Sequence, residues 1–339
     1  MKKQTKQVLR IILFIMLGAF VFWFVYEDLD VNKILSSLKQ AEYKWIALSL
    51  LLGILSHISR ARRWVLLIKP LGHNPKLSNS FFSVMIMYLS NIAVPRSGEF
   101  VRCSLMRRYE NVSFSKLLGT VITERVFDFI MLFAMLAVVL VYQITDIQTL
   151  VENNPGVYEK FASIFTLNRL IVLSLVSLAV LTLMYIFRSK LKHTLVWKKL
   201  SEFLKNITEG IKTVRKMKDK GEFLFHTILI WVLYFLMIYV TFFAFDFTSN
   251  LTVMQALTVF VMASFGMVFP SPGGIGSWHF MVMQTLFIYG VHDMNLSGAF
   301  AFAAHGAMTM MLIVVGLISY ILMPLMNKDR LSLPGNSNM

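Results

Sequence analysis

Long apolar runs separated by short polar segments dominate the chain. Six of them, at residues 8–26, 45–67, 117–142, 168–187, 223–245 and 297–325, are long enough for a helix to cross a bilayer. A hydrocarbon core of about 30 Å needs about 20 apolar residues at about 1.5 Å of rise per residue. Two further apolar stretches are interrupted, residues 79–106 at Pro95-Arg96-Ser97-Gly98 and residues 252–290 at Pro270-Ser271-Pro272-Gly273-Gly274. Proline removes a backbone donor and glycine weakens a helix interior, so each stretch reads as two spans or as one re-entrant hairpin. The first run follows the basic flank MKKQTKQVLR, as in a signal peptide. Its apolar part is long and no small-residue cleavage site follows Tyr26, so it reads as a retained anchor.

Composition changes the picture by naming the solvent. The chain is 57% hydrophobic and 15% charged, against about 25% charged for a soluble domain. A soluble enzyme, a disordered chain and a disulfide scaffold are excluded, the last because Cys103 is the single cysteine. The net charge of +15, from 33 Lys+Arg against 18 Asp+Glu, points to nucleic acid or to anionic lipid. The positions of those charges decide between them.

Short cytoplasmic loops carry the positive excess. Lys2, Lys3, Lys6 and Arg10 precede the first run, the segment up to residue 44 has three basic residues against four acids, and residues 60–76 have five basic residues. This order predicts inside, outside, inside. A complete crossing at 79–94 would then leave Arg96, Arg102, Arg107, Arg108 and Lys116 outside or in the membrane, whereas a hairpin returning to the cytoplasm avoids this. Residues 143–167 contain only Lys160, residues 188–220 carry eleven basic residues, none occurs between 221 and 327, and Lys328 and Arg330 follow. The expected fold is all-α and polytopic, with about six full spans, two Pro/Gly-broken re-entrant hairpins and both termini on the cytoplasmic side of the inner (cell) membrane. One integral membrane domain at 1–325 would contain inverted halves at about 8–142 and 168–325, followed by a cytoplasmic tail at 326–339. Pro95-x-x-Gly98 and Pro270-x-x-Gly273 lie 175 residues apart. Paired Pro/Gly-interrupted segments in two inverted halves are a sequence pointer to a transport site.

Within 188–220, Trp197, Leu200, Leu204, Ile207, Ile211 and Val214 alternate steps of three and four, an apolar stripe on a basic helix. It reads as an interfacial helix on the anionic cytoplasmic leaflet, with a coiled-coil contact to a second copy as the alternative. Nucleic acid is not an expected partner, since topology explains the charge. A smaller stripe, Val31, Ile34, Leu35 and Leu38, suggests a second interfacial helix.

An ionisable residue inside a membrane is a functional-site hypothesis by default. Arg96, Glu99 and Arg102 recur every three residues at the first break, and Glu124 and Asp128 share a face with Arg125 beside them. Helices restarting after Gly98 and Gly276 would aim their positive ends at the membrane middle, where they and the arginines suit an anion such as phosphate. A purely structural reading pairs Arg125 with Asp128 or Glu99 to pin the first hairpin. The second break, PSPGGIGSWHF, offers backbone donors from Gly273, Gly274 and Gly276 in a turn shaped by Pro270 and Pro272, together with His279. His305 lies inside the last run, and His57 and His226 are expected near helix ends. No nucleophile, metal-ligand or nucleotide-binding motif appears, so neither a cofactor nor a metal is expected.

PRSGEFVR, then TVITERVFD, then PSPGGIG and a helix ending in Tyr289-Gly290 resemble the lysylphosphatidylglycerol synthase transmembrane-region family, the flippase-like integral membrane proteins. The resemblance covers about residues 8–325 and includes the membrane half of the multiple peptide resistance factor. It implies that Arg96, Gly98, Glu99, Arg102, Glu124, Arg125, Asp128 and the Pro270–Gly276 loop take the family's motif positions. The family often has an acidic residue where this chain has His279. The resemblance implies translocation of an anionic or aminoacylated phospholipid between leaflets, without the synthase domain, which would be a separate partner. A membrane-embedded lipid transferase and an ion-coupled solute transporter are the rival expectations.

Overall fold

The computed structural model describes residues 3–152, 214–269 and 271–328. The expected span at 168–187, most of the basic helix at 188–220, Pro270 and residues 329–339 lie outside the described residues. The described backbone is helical and contains no strand. In chain order the helices are α1 (Lys3–Tyr26), α2 (Val31–Gln40), α3 (Tyr43–Ile68), α4 (Leu77–Ala93), α5 (Gly98–Glu110), α6 (Phe114–Glu152), α7 (Lys220–Phe242), α8 (Val253–Gly266), α9 (Ser277–Ile288) and α10 (Met294–Leu325).

Among the described residues, three helices are long and apolar enough to cross a membrane: α6 over Phe114–Gln143, α7 and α10. Their outward faces carry exposed Phe129, Ile130 and Phe133, Leu224, Phe225 and Ile228, and Ile318 and Ile321, the surface that lipid tails cover. With 26 residues, α3 is roughly 39 Å long, but Arg60, Arg62 and Arg63 interrupt its apolar sequence.

Both broken stretches fold back on themselves. Helices α4 and α5 have 17 and 13 residues and α8 and α9 have 14 and 12, so every arm is about 18–26 Å long and falls short of a full crossing. The arms of each hairpin pack against one another. In the first, Val94 turns to an extended conformation, Arg96 takes a left-handed φ of 63°, and α5 restarts at Gly98, whose N–H donates to Asn91 Oδ1 at 2.8 Å. A Cβ on Gly98 would lie 2.2 Å from the Met87 carbonyl oxygen, so only glycine permits this approach. Gly98→Ala is expected to destabilise the protein by about 1–3 kcal/mol or more through overpacking. Gly119→Ala, where a Cβ meets open space, should leave the unfolding midpoint in detergent unchanged or raised.

The hairpins are interlocked. α3 packs along α7, α4 packs on α10 and α8 packs on α6. Exchanging α3–α6 for α7–α10 returns the same set of neighbours. α3 and α7 run antiparallel: Glu42 N–H donates to Ala244 O at one end of α3, Ser49 Oγ to Met237 O further along, and Ser59 Oγ meets His226 Nδ1 near the other end. Each hairpin is thus held by a long helix from the other group of four. Against this frame, α1 rests on the second hairpin, where Gly18 leaves room for Pro272 and Gly276 leaves room for Val21. The packed region also runs further than expected at the end, since Asn327 is buried and exchanges amide hydrogen bonds with Asn79 at 2.8 and 3.0 Å. A buried amide pair satisfies both partners and keeps the start of the expected tail on the body.

Candidate functional site

Three arginines and two carboxylates meet where α3, α5 and α6 converge. Residues Arg60 and Arg63 share a face of α3, Arg102 comes from α5, and Glu124 and Asp128 lie one turn apart on α6. Arg60 Nη1 bonds Glu124 Oε1 closely and reaches Asp128 Oδ2 at 3.2 Å. Arg63 Nη2 lies 2.7 Å from Asp128 Oδ1 and 3.2 Å from Glu124 Oε1. Arg102 Nη2 holds the other oxygen of Glu124 at 3.0 Å. Glu124 thus faces three guanidinium groups.

The surrounding side chains fix these positions. The Arg102 guanidinium stacks over Trp64 at 4.5 Å, and the Trp64 indole N–H donates to Thr120 Oγ1 at 2.9 Å. Arg60 Nε donates to the Tyr234 hydroxyl at 3.3 Å, which lies 3.2 Å from the Tyr88 hydroxyl. Arg63 Nη1 reaches Thr227 Oγ1 at 3.4 Å. The cluster therefore joins both halves.

Burial and charge set its chemical character. Arg63, Arg102 and Glu124 are 0% exposed, so no water-sized space adjoins them, and the polar cavity expected here is filled by the charges themselves. Three positive charges face two negative ones. Among the described residues, Arg102 Nε and Nη1 and Arg63 Nε have no hydrogen-bond partner, and neither does Glu99 Oε2. Buried polar atoms are almost always paired, so unpaired donors beside a surplus positive charge mark a place suited to an added anion.

The other expected residues occupy different places. Arg125 Nη2 pairs with Glu99 Oε1 at 2.8 Å, and Arg125 Nη1 approaches Asp128 at 3.7 Å, so Arg125 pins the first hairpin to α6 at the edge of the cluster. Arg96 is exposed and donates to the Val268 carbonyl at 3.2 Å, which ties the tip of one hairpin to the tip of the other. Gly273 faces Ile92 from the opposite side. His279 of the second hairpin meets His305 of α10, with ring centroids 4.7 Å apart. Pro272 and Gly274 form the buried turn before them, where Gly274 has a φ of 83°. Among the described residues, no group of acids, histidines and cysteines is arranged to hold a metal ion.

Arg60, Arg63, Trp64, Tyr88 and Tyr234 were not legible as site residues. The available signal was Arg60 and Arg63 three apart on an apolar helix that continues to Ile68. His57, expected near a helix end, lies in the middle of α3, where its ring packs at a tilt against Tyr88 with centroids 4.7 Å apart. His226 lies in the first two turns of α7 and contacts Ser59.

The comparisons agree with this frame. A family model described as Lysylphosphatidylglycerol synthase TM region matches residues 7–316. The chain belongs to that family. As a member of the synthase TM-region family it is a membrane protein with a lipid-related setting, and the matched span contains both hairpins and every residue of the charge cluster. Comparison with curated proteins and with solved structures finds no match.

Proposed function

We propose that this protein passes a phospholipid headgroup between the leaflets of the inner membrane, using the buried arginine–carboxylate cluster as the polar waypoint. The observation that carries this reading is Arg102. It is fully buried, belongs to a cluster with one surplus positive charge, and keeps two donors unused. One helical turn away on α5, the free Oε2 of Glu99 offers an acceptor. A donor and an acceptor on one face suit a headgroup that carries both a phosphate and an ammonium, as an aminoacylated phospholipid does. An open pocket of about 570 Å³, lined by Arg107, Asn111, Val112, Ser113, Phe114 and Ser115, lies one to two turns along α5 from Arg102.

In this reading the hairpins form alternating walls and both termini are cytoplasmic. The protein moves lipid without changing it, and any aminoacyl transfer belongs to a separate partner. The test uses purified protein in vesicles of phosphatidylglycerol and phosphatidylethanolamine containing a fluorescent phosphatidylglycerol. A membrane-impermeant reductant should bleach the label of both leaflets when protein is present and only the outer leaflet when it is absent. Unlabelled lysylated phosphatidylglycerol should compete. Equal protection with and without protein contradicts the proposal, and a new lipid species by mass spectrometry replaces it with a transferase.

A further inference from the structure

At the second hairpin His279 and His305 of α10 form another group of buried titratable side chains among the described residues, and the turn is held by imidazoles where the first hairpin is held by ion pairs. His279 is 3% exposed, and its Nδ1 accepts the Gly276 N–H at 3.2 Å, closing the turn into α9. His305, from α10, has Nε2 3.0 Å from the Gly273 carbonyl oxygen. A carbonyl only accepts, so Nε2 carries the proton and Nδ1 faces Thr309 Oγ1 at 3.4 Å. The two ring centroids are 4.7 Å apart. Phe22 and Tyr26 of α1 and Trp278 of α9 complete the box around His279. The titratable groups that face it are Tyr26 and His305, and α8, packed against α9, contains no titratable residue.

The two imidazoles answer a proton differently. His305 can take one at Nδ1 and donate it to the Thr309 oxygen without losing the Gly273 bond. His279 has no such freedom, because its Nδ1 lone pair already accepts from Gly276. A proton there sets donor against donor. Gly276 sits at φ 83° with the α1 backbone where a Cβ would be, so the conflict is relieved by moving the turn. That movement reaches the first hairpin through the Arg96 bond to Val268.

We infer that His279 is a proton-binding site and that headgroup passage is coupled to proton uptake there; the coupling rests on the function proposed above. In the closed form the imidazole is neutral, with its proton on Nε2. When the turn opens to water, the imidazole regains its ordinary titration range near about 6.5. A proton from water then adds to Nδ1, and the Gly276 bond re-forms only after that proton leaves.

Hydrogen exchange of residues 271–280, corrected for intrinsic rates from about pH 8 to about pH 5, tests this on the reconstituted full chain. Wild type should lose protection toward acid by up to about tenfold per pH unit, the limit for one proton. His279→Asn, whose Oδ1 accepts the Gly276 N–H but does not titrate, should stay flat, and His305→Asn should follow wild type. If His279→Asn does not fold, His279→Gln supplies another acceptor that does not titrate. A flat wild type, or the same acid response in both His279 variants, overturns the proton site. In the phosphatidylglycerol vesicles, wild-type transfer should change on acidification and His279→Asn transfer should not. An acid response in exchange with pH-independent transfer overturns the coupling. No transfer at any pH, with the exchange response intact, overturns the headgroup reading and leaves the proton site standing.

Discussion

Glu124→Gln is expected to lower the stability of the protein by about 3–5 kcal/mol, the range for removing one partner from a buried ionic group. The size follows from the geometry. Glu124 is the shared partner of Arg60, Arg63 and Arg102, and without its charge three buried guanidinium groups face Asp128 alone. Asp128 contacts Arg60 and Arg63 but makes no bond to Arg102, so Arg102 would lose its carboxylate entirely. The unfolding midpoint in detergent, followed by tryptophan fluorescence, should fall sharply or the variant should fail to accumulate. The same substitution at Glu42, whose ion pair with Lys44 is exposed, should leave the midpoint unchanged, because exposed pairs add little. A midpoint for Glu124→Gln equal to that of wild type would mean that the cluster does not hold the helices together.

Arg102→Met is expected to do the opposite: to keep the fold and remove the activity. Deleting Arg102 leaves Arg60 and Arg63 against Glu124 and Asp128, a balanced quartet whose contacts all remain. Replacing a buried charge with an apolar side chain of similar volume is often neutral or stabilising, and a methionine adapts well to an irregular gap. The midpoint should therefore stay close to wild type, because the lost stacking on Trp64, worth about 2 kcal/mol in a dry site, is offset in part by contact of the methionine sulfur with the same ring. Headgroup transfer should fall by at least about tenfold, the effect of removing a single charged hydrogen bond worth about 1.5–3 kcal/mol. Arg102→Lys keeps the charge but not the planar fork, and should restore only part of the rate.

The frame was legible because hydropathy and helix breakers report the solvent of each segment. The runs at 117–142, 223–245 and 297–325 lie in α6, α7 and α10, which are long and apolar enough to span, and the breaks at Pro95–Gly98 and Gly273–Gly274 are the tips of hairpins. Residues Glu124, Asp128 and Arg102 were legible as a site because a membrane makes buried charge conspicuous. Arg60 and Arg63 were not. Counting positive charges to orient the chain treats an arginine near a helix end as cytoplasmic, and only tertiary packing shows that these two turn inward to the carboxylates of α6. Arg96 shows the converse. Its spacing from Glu99 and Arg102 suggests a shared helical face, but α5 begins at Gly98 and Arg96 belongs to the turn, so its guanidinium reaches the other hairpin. His57 was expected near a helix end and lies instead mid-helix in α3, buried where α3 packs along α7.

The central claim is that Arg102 meets the lipid headgroup, and bleaching of fluorescent phosphatidylglycerol in vesicles reconstituted with equal amounts of wild type or Arg102→Met tests it most directly. With matched unfolding midpoints, wild type should expose the label of both leaflets to the reductant while Arg102→Met leaves the inner-leaflet label protected. Bleaching by Arg102→Met as complete and as fast as by wild type would contradict the account.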